Sequence, residues 1–109
     1  MASRPPGSGR SLLQCPAEVR VVSRAGAQAE LGLTRDPRLL GVALRQIRLW
    51  RGAQLRLIEA SDPSFNEGSH LFEEDNGFRW TDGNALLPAT LFDRMHGACE
   101  LELYIANTT

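Results

Sequence analysis

From Cys99 to Ala106 apolar and polar side chains alternate without a slip, CELELYIA. A period of two residues belongs to a β-strand with one face buried and the other wet. Cys99, Leu101, Leu103 and Ile105 are expected inward, with Glu100, Glu102 and Tyr104 outward. An element so committed needs further strands beside it, and the chain offers them. In EVRVVSR, Val19 and Val21 fall on one face and Arg20 on the other. In Gln54 to Ile58, Leu55 and Leu57 are expected inward and Arg56 outward. FRWT and NALL flank Asp82-Gly83, a favoured dipeptide of the two-residue type I′ hairpin. That turn would set Thr81 against Asn84, Trp80 against Ala85, Arg79 against Leu86 and Phe78 against Leu87.

Residues 35–51 admit two readings. Asp36-Pro37 could cap a helix that Gly52 ends, with Leu40, Leu44 and Ile47 on one stripe. Gly41 lies inside that helix, however, and Ile47-Arg48-Leu49 alternates as a strand does. The strand is favoured. It needs a bulge near Arg45-Gln46 to bring Val42, Leu44, Ile47 and Leu49 to one face. Ala25 to Thr34 and Ser61 to Asn76 read as loops, and a polar loop as long as the second is often functional.

Five or more short strands joined by turns predict an all-β fold, an antiparallel, jelly-roll-like β-sandwich. It occupies residues 18–109 behind a flexible lead-in, residues 1–17, where Pro5, Pro6, Gly7, Gly9 and Pro16 break any period. The 109 residues suffice for one domain, and 42% hydrophobic with 23% charged residues is ordinary globular composition. No run reaches the roughly 18 apolar residues that cross a membrane. The start MASRPPGSGR has no apolar core of a secretory signal, so a cytoplasmic chain is expected. Cys15 and Cys99 are expected as reduced thiols.

Charge is divided unevenly along the chain. Residues 1–56 hold ten of the twelve arginines, against Glu18, Glu30 and Asp36; residues 57–109 hold Arg79 and Arg94 against ten acids, and there is no lysine. Chance segregation accounts for this, or else a polar molecule that docks basic face to acidic face on itself or a partner. Nucleic acid is not expected as a partner, because the acidic half would repel phosphates.

The blocks DPRLLGVALRQIRL, Gly68 and His70 followed by Glu73, and Arg79-Trp80-Thr81-Asp82-Gly83 with LLPATLF occur in this order along the chain. The chain from about Val19 to Tyr104 resembles a β-sandwich accessory module at the ends of alphaproteobacterial Hedgehog/intein-like (Hint) proteins. Similar segments accompany bacterial glycosyltransferases and methyltransferases of surface-polysaccharide pathways. The resemblance implies an accessory module and no catalyst. Ser69 departs from the aromatic residue usual after the glycine, which removes a stacking group there.

For chemistry, Arg79, Trp80, Asp82 and Asn84 on one hairpin, with His70 and Glu73 on the preceding loop, could stack on a sugar and bond its hydroxyls. The plainer alternative makes Trp80 core, Arg79 a solvated strand residue and Asp82 turn chemistry. Trp50, beside Arg48 and Arg51, is expected to serve packing. His70, Glu73, Glu74, Asp75 and His96 match no zinc or calcium spacing and read as a solvated acidic surface. Ser61, Ser64 and Ser69 lie in no nucleophile elbow, and no phosphate loop or cofactor motif occurs. The expected function is non-catalytic, recognition of a glycan or docking of a protein partner. A self-assembling structural module is the alternative, and a small metal-dependent hydrolase around His70, Glu73 and His96 the remote one.

Overall fold

The computed structural model describes residues 8–15, 18–27 and 38–108. The expected lead-in at 1–7 and 16–17, the loop at 28–34 and the Asp36-Pro37 cap lie outside them. Among the described residues ten strands form: β1 (Ser8–Cys15), β2 (Arg20–Val22), β3 (Gly26–Ala27), β4 (Leu39–Leu40), β5 (Val42–Arg51), β6 (Gln54–Glu59), β7 (Ser69–Glu73), β8 (Phe78–Thr81), β9 (Asn84–Leu86) and β10 (Gly97–Thr108). A 3-10 turn spans Ala89–Phe92. The chain is all-β, as its alternation requires.

One six-stranded antiparallel sheet runs β1-β10-β5-β8-β7, and β6 pairs with β5 beside β8. Two ribbons, β2-β9 and β3-β4, complete the strand pairing. The long strand β5 is the spine, bonded to β10 along one edge and to β6 and β8 along the other. Against β10, Gln46 pairs with Tyr104 and Leu44 with Ile105, so Arg45 is an extra residue on β5. This is the expected bulge. It re-phases the strand so that Val42, Leu44, Ile47 and Leu49 all enter the core.

The main core lies against one face of this sheet. Leu44, Ile47, Leu49, Ile58 and Leu101 meet Val21, Phe65, Leu87, Leu91, Phe92 and Met95 from the covering ribbon and loops. Each such side chain contributes about 1.5–3 kcal/mol by leaving water. A smaller cluster on the opposite face joins Leu40, Ala43 and Trp80, with Phe78 and Ala106 packed on it.

Four expectations change. Ser8–Cys15, read as lead-in, is an edge strand paired with β10 from Ser8↔Tyr104 to Cys15↔Gly97. Its inward residues are half-buried Leu13 and buried Cys15, too short a pattern to stand out among prolines and glycines. Neither expected loop is all loop, since β3 lies within Ala25 to Thr34 and β7 within Ser61 to Asn76. In β6 the inward residue is Ile58, while Leu55 and Leu57 are 41% and 40% exposed. Arg56, on the inward parity, reaches the carbonyls of Thr90, Leu91 and Asp93 around the end of the 3-10 turn.

The fourth is the Asp82-Gly83 hairpin, which does not form. β8 is flanked by β5 and β7, and β9 pairs with β2. A type I′ turn needs positive φ at both central residues. Gly83 has φ 102°, but Arg94 is the sole non-glycine with positive φ among the described residues. Asp82 therefore cannot make that turn. Its backbone N–H goes to Gly68 O at 2.8 Å, and its carboxylate accepts the Asn84 N–H at 2.9 Å. The chain turns a corner here from one sheet to the other.

Candidate functional site

The six residues singled out by the sequence do not converge. Arg79 and Trp80 are consecutive on β8 and so point to opposite faces. Trp80 is 4% exposed, packed edge-on against Phe78 with centroids 5.9 Å apart and planes at 78°. It is core, without a face open for stacking. Arg79 is buried too, contrary to the solvated-strand alternative. It donates through Nε to Ala60 O (2.8 Å), Nη1 to His70 O (2.8 Å) and Nη2 to Asp62 O (3.3 Å), and lies over the Phe65 ring. Burial lowers its pKa, against an opposing contribution from the Asp62 carboxylate. Arg79 fastens the 60–70 segment to the sheet.

The other four residues form two separate polar groups. Asn84 accepts from Arg20 Nη1 at 3.3 Å, and Arg20 also pairs with Glu67; Asp82 serves the corner beside them. His70 Nε2 lies 2.8 Å from Leu39 O, so it carries the proton, because a carbonyl only accepts. Glu73 bonds Arg38 Nη2 at 3.2 Å and Asn76 Nδ2 at 2.7 Å. The His70 and Arg38 contacts tie β7 to β4 and the residue before it, and the Asn76 contact closes the turn after β7. Among the described residues no three His, Cys, Asp or Glu are grouped to hold a metal ion.

A different surface gathers the aromatic and polar groups, on the face of the large sheet away from the main core. Registers across β1, β10, β5 and β6 define its rows. Leu12, Glu100, Trp50 and Leu55 form one; Glu102, Arg48 and Leu57 the next; Tyr104, Gln46 and Glu59 the third. Neighbouring strands sit about 4.8 Å apart and successive rows about 6.8 Å apart.

The side chains of these rows bond one another. Glu102 is 6% exposed although it faces away from the core. Its carboxylate accepts from Trp50 Nε1 at 3.4 Å and from Tyr104 OH at 3.0 Å. Arg48 places its guanidinium 4.6 Å from the Tyr104 ring centroid and donates from Nε to Gln46 Oε1 at 2.6 Å. Gln46 in turn donates to Glu59 at 2.9 Å. Bonds of this kind fix the indole and phenol rings in place before anything binds.

At the end of the first row an open cleft of about 380 Å³ is lined by Leu12, Trp50, Gly52, Ala98, Cys99 and Glu100. Gly52 and Ala98 present little bulk, which leaves a flank of the half-buried indole accessible. Trp50, expected as packing, is thus the aromatic group with an open approach. An apolar ring beside a carboxylate in a concave setting suits a ligand with both C–H faces and hydroxyl donors.

No protein-family model, curated protein or solved structure matches the chain. No helix among the described residues is long and apolar enough to cross a membrane.

Proposed function

We propose that this chain is a non-catalytic accessory module that recognises carbohydrate, acting in the cytoplasm beside a glycan-processing or Hint-type partner. The observation that supports it is the pre-ordered Trp50–Glu102–Tyr104–Arg48 surface, with its cleft at Trp50. Sugar recognition needs a fixed aromatic face with hydrogen-bonding groups at its edge, on a scaffold that does not rearrange. Here the scaffold is the central pair β10 and β5, flanked by β1 and β6.

The test is a thermal-shift titration of the whole chain against sugars and nucleotide sugars. A ligand at ~100 times its dissociation constant adds about 2.7 kcal/mol, a rise of several degrees. The shift is expected with a sugar, lost in Trp50→Ala and kept in His70→Ala. A shift that survives Trp50→Ala would place the site elsewhere, and none with any sugar would overturn the reading. Docking of a protein partner is the second reading, favoured by Leu12 (79% exposed), Leu55 and Leu57 on the same face. It predicts a partner footprint over these leucines and no sugar-induced shift.

A further inference from the structure

Cys15 and Cys99 belong to the main core on the other face of the sheet, and Cys99 is also one of the residues that line the Trp50 cleft. Both are buried free thiols in the main core. They lie on paired neighbouring strands, in the register Leu13↔Cys99 and Cys15↔Gly97. Gly97 has no side chain, so the nearest β10 side chain on Cys15's side of the sheet is Cys99. The Cys99 Sγ lies 3.6 Å from the carbonyl oxygen of Gly97, the residue paired with Cys15, and the Cys99 thiol is among the causes that raise the Cys15 pKa. Among the described strands β1 lies at the edge of the sheet, bonded to β10 alone. On its outer side it carries Leu12, a wall of the Trp50 cleft, three residues from Cys15.

We propose that Cys15 and Cys99 form a redox latch on β1, whose closure to a disulfide fixes the Leu12 wall of the cleft. The oxidant is a low-molecular-weight disulfide. One cysteine thiolate attacks a sulfur of the oxidant and expels one thiol. The second cysteine then attacks the resulting mixed disulfide and expels the other. Two S–H bonds of the protein are exchanged for one S–S bond, and the oxidant is reduced to two thiols. Burial pushes the Cys15 thiol up to about 11, so the closed strand keeps it protonated and unreactive. The reaction therefore proceeds when β1 opens locally. Opening an edge strand with one partner costs less than unfolding the sheet. The disulfide ends that opening.

As regulation of the Trp50 cleft, the latch rests on the recognition reading, but its first readouts need no ligand. The full chain is incubated with oxidised glutathione and compared with the reduced chain by intact mass and by alkylation after denaturation. A product lighter by two hydrogens with no alkylatable thiol is expected, absent in Cys15→Ser and in Cys99→Ser. Its melting midpoint should rise by about 5 °C or more, and the Leu12 and Leu13 amides should exchange at least ~tenfold more slowly. Sugar titration of the two forms then reads the cleft, and the oxidised form is expected to bind at least ~threefold more tightly. Thiols that stay alkylatable, or only mixed disulfides with glutathione, would overturn the latch and leave the recognition reading intact. Should either serine variant fail to fold, the reduced and oxidised wild-type chains carry the comparison. A disulfide with unchanged sugar affinity would remove its control of the cleft. A disulfide with no sugar bound in either form would reject the recognition reading instead.

Discussion

At the scale of single residues, Arg79 and Arg56 show what guanidinium groups do in this chain. Each spans three backbone carbonyls, Arg79 those of Ala60, His70 and Asp62, Arg56 those of Thr90, Leu91 and Asp93. Arg56 does so through Nη1 alone, whereas Arg79 uses Nε, Nη1 and Nη2 separately, which the single nitrogen of a lysine cannot reproduce. Arg79→Lys should therefore cost about 1–3 kcal/mol in urea unfolding, because buried carbonyls lose their partners. The two tryptophans separate in the same assay. Trp80→Ala should cost about 3–5 kcal/mol as a core truncation, whereas Trp50→Ala should cost under about 2 kcal/mol and act on binding. Cys15 supplies a pH dependence. Its thiol is raised from 9.0 to about 11 by burial and by the Cys99 thiol, with Arg51 opposing. The native state then holds this proton more tightly than the unfolded chain. Its contribution is whole below pH 9.0 and is lost as pH rises toward about 11, roughly 3 kcal/mol in all. Equilibrium unfolding across that range checks it, and Cys15→Ala should flatten the slope.

At the scale of elements, the Arg45 bulge decides which side chains each face receives. Deleting Arg45 would slip the first half of β5 by one residue and turn Val42 and Leu44 out of the core. Loss of a cooperative melting transition is expected, while Arg45→Ala, which keeps the residue count, should melt within about 0.5 kcal/mol of wild type. Thr81 marks the corner from β8 to β9. It is wholly buried, and its Oγ1 accepts the Val42 N–H at 3.1 Å. Gly41 lies against it so closely that an added Cβ would come within 2.6 Å of Thr81 Oγ1 and 2.7 Å of Gly83 N. Gly41→Ala should therefore destabilise by about 1–3 kcal/mol, read as a lowered urea midpoint. Much of this level was legible. The alternation of β10 set its faces, and the strand with its bulge followed from the spacing of Val42, Leu44, Ile47 and Leu49. The DG corner was misread because a dipeptide reports turn preference, while the strands that flank β8 decide whether β9 can pair with it.

At the scale of the molecule, the uneven charge of the sequence is met within the fold. Arg20 pairs with Glu67 and Arg38 with Glu73, each joining the basic first half to the acidic second half. Docking of basic face to acidic face thus has an intramolecular outlet, which weakens the case for charge-driven self-assembly. Light scattering should show the same mass at low and at moderate ionic strength; salt-sensitive association would revive the assembly reading. The candidate surface is likewise a property of the whole sheet. Each of its residues sits at an outward position of its own strand: Glu100, Glu102 and Tyr104 by plain alternation, Arg48 and Trp50 once the bulge is granted. What makes them a site is that β5 and β10 are neighbours in one register, with β1 and β6 outside them. Alternation is local, because a side chain's face follows from the pleat of its own strand, and so the sequence by itself determined an all-β chain and most of its inward residues. Pairing joins residues tens of positions apart and is chosen by the total burial and hydrogen bonding of the whole sheet. Only the tertiary structure could therefore bury Trp80, leave Trp50 open, and carry Ser8–Cys15 to the edge where Leu12 walls the cleft.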